Sequence, residues 1–381
     1  MNIKLNYISL FSCAGIGCYG FKLENFECLS TIEINKKRLD IQKYNNKCNK
    51  DQYYIDKDIT LDFTLNLLDN NLKNKKLDVL IATPPCQGMS EMNKNKKDSD
   101  IKRNSLVVKS IEIINKYLPK IFIFENVKTF LKTNCIDIDN NLKSIKQAIN
   151  YNLNKNYNIE FKIINFKEYG SNSSRNRTLV IGIRKDININ PLDLYPKKQK
   201  IKTIKECIGN LSSLKKGEID NNDILHFSRK MNDRHYLWMK NTPINKSAFN
   251  NTNKNYIPHL IDNNGNRKEM NNGVKGKFTR LNWNKTMECI HTRNDSPNSQ
   301  YTIHPKDTRV FSIRELMILQ GINKNFKWCN QSYKELNNLS LENKQKWLKK
   351  NERLIRIVIG ESVPTIIFQQ IAKNIKEKLN D

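Results

Sequence analysis

Along the first half of the chain, short apolar runs alternate with longer amphipathic stretches. Tyr7 to Phe11, Glu27 to Glu33, Leu77 to Ala82, Lys120 to Val127, Glu160 to Phe166 and Thr178 to Arg184 are strand-length and mostly apolar. Such runs predict buried or half-buried strands. Between several of them, Lys36 to Asn45, Ser105 to Tyr117 and Leu142 to Leu153 carry helical spacing. Strands alternating with helices predict an α/β fold with a mostly parallel sheet and helices on both faces. The alternation stops near Pro191. From there to about Thr308 the chain is polar, rich in Asn and Gly, and poor in periodicity. Helical spacing returns at Ser312 to Gly321. "PTIIFQQIAKNIKEKL" predicts a closing amphipathic helix with a proline in its first turn.

The 381 residues allow two domains, and 38% hydrophobic residues can fill a sizeable core. Apolar runs stay far below the ~20 residues that span a bilayer. The N-terminus lacks the pattern of a signal peptide. Nine cysteines without a C-x-x-C pair argue against a disulfide framework and against a zinc site, so no metal is expected. The expectation is a cytoplasmic protein with reduced thiols. A formal net charge of +28 points to a polyanionic partner, with nucleic acid ahead of an anionic membrane surface. Lys- and Asn-rich runs such as residues 70–76 also fit the composition of an AT-rich genome, which weakens that signal.

Three stretches carry candidate chemistry. After the first strand, "LFSCAGIGCYGF" places Gly15, Gly17 and Gly20 in a G-x-G-x-x-G pattern, with Glu33 ending the second strand. This strand-turn-helix suits a dinucleotide or the adenosyl part of S-adenosylmethionine; a tight structural turn is the plain alternative. "TPPCQGMS" sets Cys86 after two stiffening prolines at a strand's C-terminal end, where open α/β sheets place their chemistry. A structural thiol competes with that reading. Glu125 closes the apolar run of "KIFIFENV", and burial there would raise its pKa.

Taken together, the chain resembles the C5-cytosine DNA methyltransferase family, with motifs in the family's order across nearly its whole length. Phe11 and the glycines match the cofactor turn, Glu33 the ribose-binding acid, and Asp58 of "DKDIT" the acid at the adenine amino group. "PPCQG" matches the nucleophile loop, "FENV" the Glu-Asn-Val motif, and "RNR", residues 175–177, the paired arginines. "RELMILQG" and "GESVP" match the two C-terminal motifs. The chain departs from the family where Cys13 replaces a common glycine, Ser173 a glutamine and Glu361 an asparagine.

The resemblance implies a Rossmann-like, S-adenosylmethionine-dependent methyltransferase sheet with a smaller, irregular DNA target-recognition domain. The catalytic domain is expected at 1–190 plus 346–381, and target recognition at 191–345. Trp238 and Trp283 are expected in the core of the minor domain, and Arg314 is expected to pair with an acid. In the implied chemistry, Cys86 adds as a thiolate to carbon 6 of a flipped-out cytosine, and carbon 5 then attacks the methyl group of S-adenosylmethionine. S-adenosylhomocysteine is the product. Glu125 serves N3, while Arg175 and Arg177 contact the base and hold Glu125. Implied cofactor contacts are Phe11, Gly15, Ile16, Gly17, Glu33, Ile34, Asp58, Ile59, Pro85, Leu106 and Ser362. Implied DNA-side residues are Gln87, Ser90, Lys94, Lys96, Lys97, Arg103 and Asn126. The implied partner is double-stranded DNA. A restriction endonuclease encoded nearby would accompany a modification enzyme without contacting it, and a monomer is the family's usual state. An RNA (tRNA) cytosine-5 methyltransferase, a catalytically silent DNA-binding relative and an NAD oxidoreductase are the competing functions. The last leaves Cys86 and the arginine pair idle.

Overall fold

A computed structural model describes residues 4–85, 101, 104–270, 273 and 275–380. The chain forms two compact units. The first comprises Met1–Tyr169, Asn176–Gln199 and Val363–Asp381; the second comprises Gly170–Arg175 and Lys200–Ser362.

The first unit is built on a seven-stranded sheet. Its strands are β1 (Asn6–Leu10), β2 (Glu27–Ile32), β3 (Tyr54–Ile55), β4 (Val79–Ala82), β5 (Ile121–Val127), β8 (Tyr157–Asn165) and β9 (Asn176–Arg184). A separate two-stranded ribbon consists of β6 (Asn134–Ile136) and β7 (Leu142–Ser144). The spatial order is β3-β2-β1-β4-β5-β9-β8. Pairings from β3 through β5 are parallel, whereas β9 runs antiparallel to both β5 and β8. The central strands are apolar throughout because both faces are covered. On one face Leu80, Phe122 and Phe124 meet Leu68, Ile111 and Ile149 from helices Asp62–Leu72, Leu106–Tyr117 and Ile145–Leu153. On the other, Val79, Ile81 and Ile123 meet Phe21 of helix Tyr19–Leu23 and Ile367, Phe368 and Ile371 of helix Thr365–Asn380.

The unit boundaries differ from the expected 190/191 and 345/346. Residues 191–199 stay with the sheet: the Tyr195 hydroxyl lies 3.0 and 2.9 Å from the carbonyls of Glu160 and Leu179. Residues 346–362 belong to the second unit, because Leu341–Glu361 is one unbroken helix. Its Arg356 is buried, donating to the Phe311 carbonyl at 3.0 Å.

The second unit has little regular structure, as the loss of periodicity after Pro191 predicts. Trp238, Met239, Ala248, Phe278 and Ile303 form an apolar cluster. Trp238 is therefore core, and Trp283 stands edge-on to the buried His304 ring at 5.0 Å. Helix Ile313–Gln320 opens with a capping box, in which Ser312 Oγ accepts from Glu315 N and the Glu315 carboxylate accepts from Ser312 N. Arg314 on this helix pairs with Asp223. A two-stranded ribbon, β10 (His259–Ile261) with β11 (Arg267–Glu269), stands on the surface.

Candidate active site

Three C-terminal strand ends of the sheet carry the candidate residues. After β1 the chain enters a turn in which Phe11, Cys13 and Gly15 have φ of 58°, 50° and 76°. Two of these are side-chain-bearing residues in a region L-residues avoid, so the surroundings must hold them there. The Cys13 amide donates to Glu33 Oε2 at 2.9 Å, and the Asn35 amide donates to Oε1 at 3.0 Å. Glu33 is buried at the end of β2. Burial pushes its carboxyl above the usual carboxylate range, against the Asn35 amide, Arg38, the Cys13 amide and Lys47, which pull it down.

The turn is also held from beneath. Lys47 is buried, and its Nζ donates to Ser9 Oγ (2.6 Å), Ser12 Oγ (2.8 Å), Thr31 Oγ1 (3.0 Å) and Gln42 Oε1 (3.0 Å). Gln42 Nε2 in turn donates to the Cys13 carbonyl at 2.5 Å. Sequence reasoning missed both residues. Lys47 lies in "NNKCNK", where nothing marks it off from the solvated lysines around it. Only Gln42, a polar residue on the helix Lys36–Tyr44 after Glu33, offers a faint signal.

Gly17 is tightly enclosed: a Cβ there would stand 3.0 Å from the Phe368 ring and 3.1 Å from Val363. The neighbouring Ile16 is buried, and its carbonyl accepts from Thr365 Oγ1 at 2.9 Å. Ile34 is exposed, Ile59 is buried, and Asp58 Oδ1 accepts from the amide and hydroxyl of Thr60, each at 2.9 Å. Leu106 opens the helix Leu106–Tyr117, and Pro85 is half-buried.

At the end of β5, Glu125 is buried and Arg177 Nε lies 3.1 Å from its Oε1. The pairing register places Val127 opposite Arg177, so adjacent antiparallel strands bring the acid and the arginine together. Asn126 is buried too, and its Nδ2 donates to the Pro84 carbonyl at 2.9 Å. Its Oδ1 accepts from the Val127 amide at 2.8 Å. The expected Glu125–Arg177 contact is thus present, and Asn126 ties the end of β5 to the Pro84–Pro85 segment.

Arg175 and Ser362 lie in the second unit. Arg175 donates to the carbonyls of Ile290 (3.3 Å) and Glu361 (3.2 Å). Ser362 Oγ donates to the Ile359 carbonyl at 2.9 Å, and Gln320 Nε2 reaches the Ser362 carbonyl at 3.1 Å. Ser173, one of the departures from the family pattern, bonds Gln320 Oε1 through its hydroxyl at 3.0 Å. Cys86, Gln87, Ser90, Lys94, Lys96, Lys97 and Arg103 lie outside the described residues. Among the described residues, no group of His, Cys, Asp and Glu is placed to hold a metal ion, and every cysteine is a free thiol. Nor is any single helix among them long and apolar enough to cross a membrane.

A mostly parallel sheet, with a ligand-type turn after its first strand and a buried, arginine-held acid on a later one, is the arrangement of an α/β group-transfer enzyme. The chain belongs to the C-5 cytosine-specific DNA methylase family, whose pattern matches residues 5–377. It is a DNA (cytosine-5)-methyltransferase. It is 31% identical over 380 residues to the type II methyltransferase M1.HgaI of Avibacterium volantium, covering 97% of each chain. It is 24% identical over 377 residues to the type II methyltransferase M1.HphI of Haemophilus parahaemolyticus, covering 97% of this chain and 86% of that one. The crystal structure of the Dnmt2 methyltransferase of S. pombe superposes with a TM-score of 0.60 at 15% identity, covering 99% of this chain and 100% of that one, a likeness of fold. Family membership implies a DNA substrate and dependence on S-adenosylmethionine.

Proposed function

We propose that this enzyme methylates carbon 5 of a flipped-out cytosine within one short DNA sequence, with Cys86 as nucleophile and Glu125 as the acid at N3. The observation that carries this reading is the bond from Asn126 to the Pro84 carbonyl. It fixes the strand end holding Glu125 to the segment that, two residues on, reaches Cys86 in the sequence.

The turn at residues 11–17 and Glu33 fit S-adenosylmethionine. Each Glu33 oxygen already accepts one amide and retains a lone pair for a ribose hydroxyl, and the left-handed turn opens the backbone to close approach. The cofactor held there supplies an electrophilic methyl group. Cys86 adds as a thiolate to carbon 6, splitting a hard substitution into two easier steps. Glu125 donates a hydrogen bond at N3 as electron density moves there, leaving carbon 5 nucleophilic. Arg177, with its fixed fork of donors, orients that carboxyl group. Once carbon 5 is methylated and has lost its proton, expulsion of the thiolate restores the ring. The target base must leave the duplex to meet these groups.

The second unit, poor in regular structure and rich in exposed polar residues, serves target recognition in this reading. The similarity to two type II methyltransferases supports a place in a restriction-modification system. The test is base-resolution mapping of 5-methylcytosine in DNA from an unmethylated host expressing the wild type, Cys86→Ala or Glu125→Gln. The wild type should mark one motif, Cys86→Ala should mark none, and Glu125→Gln should slow single-turnover transfer severely. Full methylation by Cys86→Ala would remove the mechanism.

A further inference from the structure

The β10–β11 ribbon has no part in the chemistry above, yet it is tied at both ends. Register pairs His259 with Glu269, Leu260 with Lys268 and Ile261 with Arg267. Its root is fixed. The His259 ring lies 5.3 Å from the buried Trp238, and Arg267 Nη1 donates to the Lys254 carbonyl at 2.6 Å. Its tip is ordered from within. Asp262 Oδ1 accepts from the amides of Asn264 (3.0 Å) and Asn266 (2.8 Å), and the Asp262 amide donates to the Asn266 carbonyl at 3.0 Å. Gly265 makes the left-handed turn at φ 81°, with nothing within 4 Å of where a Cβ would stand.

This hydrogen-bonded ribbon presents two kinds of group to solvent. Leu260, on one face with Lys268, and Ile261, on the other with Arg267, are 51% and 47% exposed. The carboxamides of Asn263, Asn264 and Asn266 are exposed and hydrogen-bond to nothing among the described residues. An apolar partner would cover one aliphatic side chain and strand the carboxamides. A partner edge offering both a methyl group and a donor-acceptor pair would satisfy both kinds of group, and Lys254, Arg267 and Lys268 outweigh Asp262 and Glu269 there, which favours an anionic one.

We propose that this ribbon reads an A·T base pair in the major groove of double-stranded DNA. A groove about 12 Å wide admits a two-stranded ribbon. There adenine presents an N7 acceptor beside an N6 donor, which one carboxamide matches with two bonds, and thymine presents its methyl group to an aliphatic side chain. Lys254 and Lys268 meet the flanking phosphates, which position the ribbon without specifying sequence. The inference rests on the DNA-methylating reading above and assigns one base pair of its target to a named element.

The test begins with the wild-type motif, mapped as above, then compares the full-length wild type with the triple variant Asn263→Ala, Asn264→Ala, Asn266→Ala. The motif should contain at least one A·T pair. The variant should bind S-adenosylmethionine like the wild type. It should bind a mixed-sequence duplex within about twofold, yet lose roughly tenfold or more of its preference for the cognate duplex over one with that A·T pair changed to G·C. A second variant, with residues 262–266 replaced by Asn-Gly, should lose the same preference while still binding cofactor. A motif without A·T, or undiminished preference in either variant, overturns the ribbon's role and leaves the methyltransferase reading standing. A wild type that marks no DNA overturns both.

Discussion

The two units reach order by different means. In the first, periodic apolar residues do the work: strands such as Ile121–Val127 are buried on both faces between helices. In the second, regular elements are few and buried arginines gather the loops. Arg280 donates to the carbonyls of Met239, Thr242, His304, Lys306 and Asp307 at 2.6 to 3.2 Å. Arg309 forks onto Glu315 at 2.7 and 2.8 Å and reaches Asp307 at 3.0 Å. Arg356 joins Glu352, Asn294 and Phe311. A planar guanidinium can satisfy several buried carbonyls that have no helix or sheet to pair with. The difference teaches where each unit is fragile. The first depends chiefly on packing; the second depends on its buried charges as well as on a smaller apolar core.

The largest effect should come from Glu315→Ala, which removes the forked partner of the buried Arg309 and leaves it the Asp307 carboxylate. It should cost about 3–5 kcal/mol in urea unfolding, as much as a large-to-small change such as Leu68→Ala in the first unit. If Glu315→Ala cost no more than an exposed salt bridge, the contrast between the units would fail. Next is Lys47→Met. The substitution keeps the volume but removes the ammonium under the turn, so S-adenosylmethionine affinity by calorimetry should drop about tenfold, or about 1.4 kcal/mol. Catalytic turnover at saturating cofactor should change little.

A paired measurement sharpens the comparison at the level of one residue. Ser144 and Ser312 both complete capping boxes, Ser144 half-exposed in the first unit and Ser312 fully buried in the second. Ser312 Oγ also bonds His226 Nδ1 at 3.0 Å. Ser144→Ala should cost about 1 kcal/mol and Ser312→Ala about 2, because the second leaves a buried ring nitrogen unpaired. Thermal unfolding of the two variants side by side reads the difference.

The smallest effect near neutrality concerns His304. Burial lowers its pKa to about 4, with Arg309 and Arg280 opposing protonation and Glu315 and Asp307 favouring it. The unfolded ring binds a proton near pH 6.5, so between there and about 4 the unfolded state holds more protons. The stability contributed by the neutral ring is full above about 6.5 and lost as pH falls through that window. His304→Gln should flatten the decline seen in unfolding midpoints measured across it.

The same contrast governs what could be read from the sequence. The first unit's strands lie where its apolar runs lie, because burial on both faces leaves an uninterrupted signature in residues such as those of "KIFIFENV". The strand β3, of two residues, is too short to leave one, and helix Asp62–Leu72 hides in an Asn-rich stretch. Glu125, Arg177 and Asn126 were legible because the acid ends an apolar run and the motif order names its partners. Lys47 and Gln42 were not, since their role depends on a buried cluster assembled from β1, β2 and the helix after it. The second unit's arginines look like any others in a chain of +28 charge. Carbonyl geometry alone reveals them, and it exists only in the folded state.

The contact between Thr365 and the Ile16 carbonyl spans 349 residues. A ribosome adding about 5–20 residues per second needs on the order of tens of seconds to cover that interval. Throughout it, the glycine turn lacks the helix that walls in Gly17 on its far side. A nascent chain stalled before position 365 would carry Cys86, Glu125 and the whole second unit, yet an unfinished glycine turn. Translation thus keeps its own order: the second unit can mature first, and the turn proposed to seat the methyl donor is completed last.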